Sequence, residues 1–348
     1  MRIAKNTLQT VVALIVSLYG SHTYGAESPT CSDGVTLILS VPQASQGSVI
    51  VADLRSKNPL DGISGRWSDR DVSFWKTTDS AANEISAKKM AANNTKSPRR
   101  SSRRPTVEPN PTGDHREALL GVDLEKSPGS YVFSVTATLA DETPVQCTAT
   151  LPIQAGKFAT EKLTVDSKFV EPNVQQAKRA EADQVKLRSI FDHVTDERYW
   201  QGPFQMPLSG TIAGTNFGKR RILNGQPRSP HTGADFPSLT GTPVHATQNG
   251  RVVLAEELYF SGNTVILDHG LGVYSLYGHL SQIDVAVGDA VTSGSVLGKV
   301  GATGRVTGPH LHWGVTLNKA RVDPVKLVGA FRPPSRTRRP RRSHSKPS

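Results

Sequence analysis

Three short segments of this 348-residue chain hold side chains whose types and spacing could do chemistry together. In Gly308-Pro309-His310-Leu311-His312-Trp313, an extended strand would turn both imidazoles to one side and Leu311 to the other, because strand side chains alternate with a period of two. In His231-Thr232-Gly233-Ala234-Asp235 the i, i+4 spacing would share one helix face. Gly233 inside that stretch, with Pro230 and Pro237 flanking it, predicts a loop instead, in which the glycine lets the backbone turn tightly. A hydrolytic zinc ion takes three protein ligands and leaves a fourth position for water, a requirement that His231, Asp235 and His312 meet.

His310 is then beside the metal without being needed on it, and His279 lies in Leu276-Tyr277-Gly278-His279-Leu280-Ser281. Zinc lowers the pKa of a coordinated water toward 7, and a nearby imidazole can take its proton and stabilise the oxyanion that follows. No His-Glu-x-x-His occurs, so histidine must do this work. Spacing leaves open which of His279 and His310 is base and which is stabiliser. His245 and His269 read as surface or turn residues, since adding either would close the open position. Tyr277 reads as a core residue or a donor to a substrate carbonyl, Trp313 as packing, and Glu256 and Glu257 as solvated.

The elements that must position these groups read as mainly β. Val244 to Ala246, Gly250 to Ala255, Asn263 to Asp268, Val273 to Tyr277 and Leu311 to Leu317 are strand-like, with glycines suited to tight hairpins between them. Val287 to Gly298 reads as a hairpin of the kind found in lipoyl and biotinyl carrier folds, a likeness of fold and not of function. Upstream, Val35 to Val41, Ser48 to Leu54 and Tyr131 to Leu139 suggest a small β-sandwich punctuated by Pro42, Gly47 and Pro128-Gly129. Between the two, the apolar spacing after Glu171-Pro172 predicts a connecting helix with Pro172 at its first position.

The net charge of +11 raises the possibility of nucleic acid binding, but its location argues otherwise. Seven basic residues lie between Lys88 and Arg104 and seven more in 331–348, both runs without an acid, so the remainder is slightly acidic. Rich in Ser, Pro and Arg, these runs predict solvated segments able to make weak contact with anionic envelope polymers. No aromatic residues interleave the charges, and no nucleic acid partner is expected. Arg2 and Lys5, the apolar run Val11 to Leu18 and the small residues after it read as a secretory signal peptide, which implies a periplasmic or secreted protein. In an oxidising compartment the only two cysteines, Cys31 and Cys147, are expected to pair.

The segments Phe217-Gly218-Lys219-Arg220, His231 to Phe236, Gly262-Asn263, Asp268-His269-Gly270, Tyr277 to Ser281 and Gly301 to Gly304 through Gly308 to His312 resemble, in order, the motifs of the M23 (lysostaphin/LytM-like) zinc metallopeptidases. The resemblance implies one Zn²⁺ on His231, Asp235 and His312, with His279 and His310 as the catalytic histidines. It further implies a lipoyl/biotinyl-like hybrid-motif β domain, with peptidoglycan as partner and substrate. The bond it implies is D-Ala to meso-diaminopimelate. Ala118 to Asp123 with Pro128-Gly129 is similar to a subgroup in which an immunoglobulin-like sandwich precedes the peptidase.

The expected order is therefore a signal peptide (1–26), an Ig-like sandwich (27–165) with a basic insert (77–115), a linker helix (166–199), the peptidase domain (200–328) and a basic tail (329–348). The alternative function is a non-catalytic LytM-type regulator that activates a cell-wall amidase. Members of that type usually have ligand positions replaced, and all five residues are present here.

Overall fold

The computed structural model describes residues 29–32, 34–77, 113–210, 213–214 and 216–331. The expected signal peptide, nearly all of the basic insert and nearly all of the basic tail lie outside the described residues. The described chain is mainly β, as its alternating patterns require.

Val49–Ser56 shows how the sequence builds the N-terminal unit. Ile50, Ala52 and Leu54 are fully buried and their neighbours are not, so one face of the strand meets a core and the other does not. This strand pairs with Val35–Leu39 and with Asp114–Gly121. The resulting four-stranded sheet shares one apolar core with a six-stranded sheet centred on Gly129–Leu139 and Pro144–Gln154. Asp114–Gly121 and Trp75–Lys76, which flank the basic insert, are themselves neighbours in the first sheet, and the strand starts inside the stretch read as insert. A disulfide joins Cys31 and Cys147 across paired strands.

The helix runs over Val174–Asp192, two residues later than the proline reading implies. Asn173 is its N-cap and exchanges hydrogen bonds with Gln176 in a capping box, which satisfies backbone donors that Pro172 could not. Leu187, Ile190 and Phe191 pack on Leu254, Leu258, Ile266 and Tyr274, so the helix covers one face of the C-terminal sheet. Glu256 and Glu257 are not simply solvated: they pair with Lys186 and Arg179 of this helix.

The C-terminal unit is a nine-stranded sheet whose main path runs Gly233–Pro237, His310–Leu317, Val273–Ile283, Gly262–Asp268, Gly250–Leu258 and Ala290–Val291. One sequence reading fails here. Ala290–Val291 and Val296–Val300 do not form a hairpin with each other; the first pairs with Gly250–Leu258, the second with Pro243–His245 and Val273–Ile283. The short helix Pro324–Ala330 extends past residue 328 and is capped by Asp323.

The two units share packing. Trp75 and Leu119 join the core of the C-terminal unit, and Trp75 meets Trp200 edge to face at 5.4 Å between centroids. A Cβ on Gly121 would come within 2.9 Å of Ala320, so the glycine permits the sheet to lie close against Ala320–Val322. Arg321 of that strand grips Asp123 at 2.7 and 3.1 Å, and Ala320–Val322 pairs with His310–Leu317. The N-terminal unit thus backs the strand that carries two of the candidate site histidines.

Candidate metal centre

Gly233–Pro237 and His310–Leu317 are antiparallel, with Asp235 directly opposite His312. Side chains so paired leave one face of the sheet about 5 Å apart. Residues 231, 233 and 235 follow the same period of two, so His231 emerges on that face as well. The segment is therefore strand from Gly233 onward, not the loop its prolines suggest. Gly233 serves close approach and not a turn. A Cβ there would lie 2.7 Å from Cε1 of His312 and 2.5 Å from the Trp313 carbonyl, in the space the His312 ring occupies.

Three donor atoms converge on this face. Nε2 of His231 lies 2.9 Å from Nδ1 of His312 and 3.1 Å from Oδ1 of Asp235, and that oxygen lies 2.9 Å from Nδ1 of His312. Nδ1 of His231 faces the Asn216 carbonyl at 3.0 Å, an acceptor only, so Nδ1 carries the hydrogen and Nε2 keeps its lone pair. Burial pushes the His231 imidazole down to about 4, which leaves it neutral at neutral pH. Burial opposes ionisation of Asp235, but its contacts with the His231 and His312 rings outweigh it and hold the carboxyl well below the usual range.

Lone pairs and a carboxylate packed this closely need a cation among them. Three zinc ligands at about 2.0–2.2 Å in a tetrahedron lie about 3.3–3.6 Å from one another, a few tenths of an ångström beyond the separations found, and two imidazoles with one carboxylate is a zinc donor set. The residues fit the ion.

Asn216 is a contributor that the sequence reading missed. Its side-chain amide donates to Oδ2 of Asp235 at 2.7 Å, its Oδ1 accepts from the Asp235 amide at 3.0 Å, and its backbone carbonyl orients His231. It immediately precedes Phe217-Gly218, but only the folded chain shows it reaching both ligands. Such outer partners fix ligand orientation and tune donor strength.

His310 and His279 complete the face. His310 donates from Nδ1 to the Gly308 carbonyl at 2.8 Å, and its Nε2 lies 3.8 Å from Oδ1 of Asp235. The His279 ring lies 4.8 Å from that of His310 and 5.8 Å from that of His312, centroid to centroid. A break in strand geometry puts it there. Tyr277 and Leu280 both enter the same core although three residues apart, and His279 between them has φ +64° with register shifts nearby. This bulge turns the imidazole out to the cleft. Nδ1 of His279 donates to the Thr303 carbonyl at 2.8 Å, so its Nε2 is free to accept. Burial, reinforced by His312 and His310, pushes it down to about 3.

His245 and His269 stand outside the donor cluster. His245 bonds the Gly294 carbonyl, and His269 is not a surface residue but fully buried, between the Asn249 carbonyl at 2.7 Å and the Ser275 hydroxyl at 2.7 Å. Tyr277 is a core residue, bonded to Thr247 and Ser275, and Trp313 is fully buried. Burial pushes His269 down to about 4 from the 6.5 of an exposed imidazole. Between these values the unfolded chain binds more protons than the folded one, so stability is full above about pH 6.5 and falls as pH drops toward 4. Denaturation midpoints should decline across that window, with the His269 ring resonances at pH ~5.5 those of a neutral imidazole. A ring titrating near 6.5 would refute this.

A second group with metal-ligand chemistry, Asp53, His115 and Glu117, lies on the sandwich. Arg55 holds Asp53 there with two bonds of 2.8 Å, so this carboxylate is already paired.

Asp235, His279 and His310 line a cleft of about 300 Å³, whose other walls include Glu161, Arg221 and Arg305. Residues 229–324, which contain all five histidine and aspartate positions, match the family model of Peptidase family M23. The chain carries an M23 peptidase domain. Over 113 residues it is 40% identical to the peptidoglycan DD-endopeptidase ShyA of Vibrio cholerae, covering 32% of this chain and 26% of that one. Over 98 residues it is 43% identical to the DD-carboxypeptidase/endopeptidase Mpg of Neisseria meningitidis, covering 28% and 23% respectively. The chain thus spans about a quarter of the length of these curated relatives. A crystal structure assigned to peptidase M23 from Pseudomonas aeruginosa is similar at 27% identity and a TM-score of 0.57, over 82% of this chain and 96% of that one. That likeness extends beyond the M23 domain into the N-terminal unit.

Proposed function

We propose that this chain is a zinc-dependent endopeptidase that hydrolyses peptide cross-links of peptidoglycan in the periplasm or outside the cell. His231, Asp235 and His312 hold one zinc ion, and His279 and His310 are the catalytic histidines. The observation that carries this reading is the convergence of two imidazole nitrogens and a carboxylate oxygen within 3.1 Å beside an open cleft. The relative named as a peptidoglycan DD-endopeptidase supports the substrate class, and the D-Ala to meso-diaminopimelate bond within it is the one the motif resemblance implies.

When bound, zinc supplies Lewis acidity that polarises a carbonyl and makes a water nucleophilic near neutral pH. His279 and His310 each donate from Nδ1 to a backbone carbonyl, which fixes the ring and turns Nε2 toward the cleft as a proton acceptor. The imidazole that takes a proton from the attacking water can return it to the departing amine. The other stands beside the position where negative charge develops on the substrate oxygen. Asn216 holds Asp235 and His231 in place throughout.

Zymography of the full chain on purified sacculi tests this. A clearing band is expected, lost on chelation and restored by zinc. No clearing at any metal loading would overturn the enzyme and favour the amidase-activating regulator.

A further inference from the structure

Beside the metal-ligand face the cleft holds two arginines, one with no acid partner among the described residues and one that reaches an acid only at long range. Arg305 is half-buried, with its guanidinium 4.5 Å above the Phe260 ring, and no carboxylate among the described residues pairs with it. Burial and the positive charges of Arg221 and Arg228 push it down to about 10, so its surroundings are short of negative charge. Arg221 reaches Oδ2 of Asp235 only at 3.6 Å, and its Nε is buried with no hydrogen-bond partner. Glu161, the other acid lining the cleft, is bonded to Lys219 at 2.9 Å. Desolvated cations without counter-charge are costly, and sites that bind anions are where such a cost is recovered.

Arg305 is also held in place before any ligand arrives. Its amide bonds the Phe260 carbonyl at 2.8 Å, and Thr303 bonds the Asn263 amide through its hydroxyl. Gly304, at φ +75°, leaves only 2.4 Å between a would-be Cβ and the Gly262 nitrogen, so the loop is clamped on the Phe260 turn. The Thr303 carbonyl of the same loop orients His279. Arg305 is thereby tied to the reacting centre by two residues of chain.

We propose that Arg305, assisted by Arg221, binds the substrate carboxylate borne on the same carbon as the scissile nitrogen. This rests on the peptidoglycan reading above. In a D-Ala to diaminopimelate cross-link the nitrogen of the scissile amide is attached to a carbon that also carries a free carboxylate, two bonds from the breaking bond. A guanidinium fork in the cleft that Asp235, His279 and His310 also line matches that group in charge and planarity. Arg305 is a specificity residue for the departing half of the substrate: it selects bonds flanked by a carboxylate over ordinary peptide bonds.

The test uses the full zinc-loaded chain and two purified cross-linked muropeptide dimers, alike except that the carboxyl beside the scissile amide is free in one and amidated in the other. The wild type is expected to show a KM about tenfold to a hundredfold lower for the free carboxylate, the range of one charged bidentate contact. Arg305→Gln should lose that preference by raising KM on the free dimer alone, with kcat nearly constant. Arg305→Lys should fall between them. A wild type that treats both dimers alike overturns the proposal, as does an Arg305→Gln variant slowed equally on both, the mark of a merely structural role. If the wild type cleaves neither dimer, the peptidoglycan reading fails, and calorimetric binding of the same dimers decides the arginine pocket. Tighter binding of the free carboxylate by wild type than by Arg305→Gln upholds it, and equal binding overturns it.

Discussion

Asp235→Ala is expected to lose bound zinc and hydrolysis together while the fold survives. Asp235 supplies the only formal charge among the three donor atoms and is the hub of the cluster, with Oδ1 at 3.1 Å from Nε2 of His231 and 2.9 Å from Nδ1 of His312, and Oδ2 accepting from Asn216. Without it, two neutral imidazoles would remain, too few for a hydrolytic zinc site. Removing an outer partner of a ligand costs about 10–100-fold in affinity or activity, so removing the ligand itself should exceed about 100-fold. Asn216→Ala provides the comparison within this chain and should fall inside the 10–100-fold range. Zinc content after dialysis, rate on sacculi and thermal unfolding, measured on both variants, check the ordering. A zinc-replete, active Asp235→Ala protein would remove aspartate from the ligand set.

The second large effect is on the two histidines beside the metal. His279→Ala should lower kcat by about 10²–10⁴, the usual span for a positioned acid or base, and leave zinc content unchanged because its nitrogen is outside the donor cluster. His310→Ala should fall in the same range. The double variant should cost less than the product of the two, since both act on one transition state as a unit. The pH profile separates them from a simple titration. A histidine pushed down to about 3 is unprotonated throughout the range above pH 4, so protonation of His279 does not set the acid limb of activity. An acid limb near pH 6.5 that vanishes in His279→Ala would contradict the buried, neutral state described for this ring.

Much of the site was legible in the sequence because period-two alternation is local. His310 and His312 flank Leu311, which is fully buried while its neighbours are half-buried, as an extended strand with one face on the core requires. The strand Val273–Ile283 extends six residues beyond its predicted end at Tyr277, and His279 lies in that extension. Local pattern fails there because the bulge that turns His279 outward depends on pairing with two other strands. The His231 segment misled for a related reason. A glycine between prolines is ordinary turn chemistry, and only the His312 ring packed against Gly233 shows that the missing Cβ makes room across a sheet. His269 reads as a surface or turn residue because a further ligand would close the open position; it does stand at a turn, yet its ring is enclosed by Asn249, Ser275 and Phe204. Asn216 and Arg305 carry no spacing signal at all: one is recognised by the ligands it holds, the other by the carboxylate it lacks.

Crystals of the zinc-loaded chain, measured on either side of the zinc absorption edge, test the central claim most directly. The account predicts one anomalous peak, about 2.0–2.2 Å from Nε2 of His231, Oδ1 of Asp235 and Nδ1 of His312. A peak at Asp53, His115 and Glu117 instead, or no peak in a preparation that still clears sacculi, would contradict it.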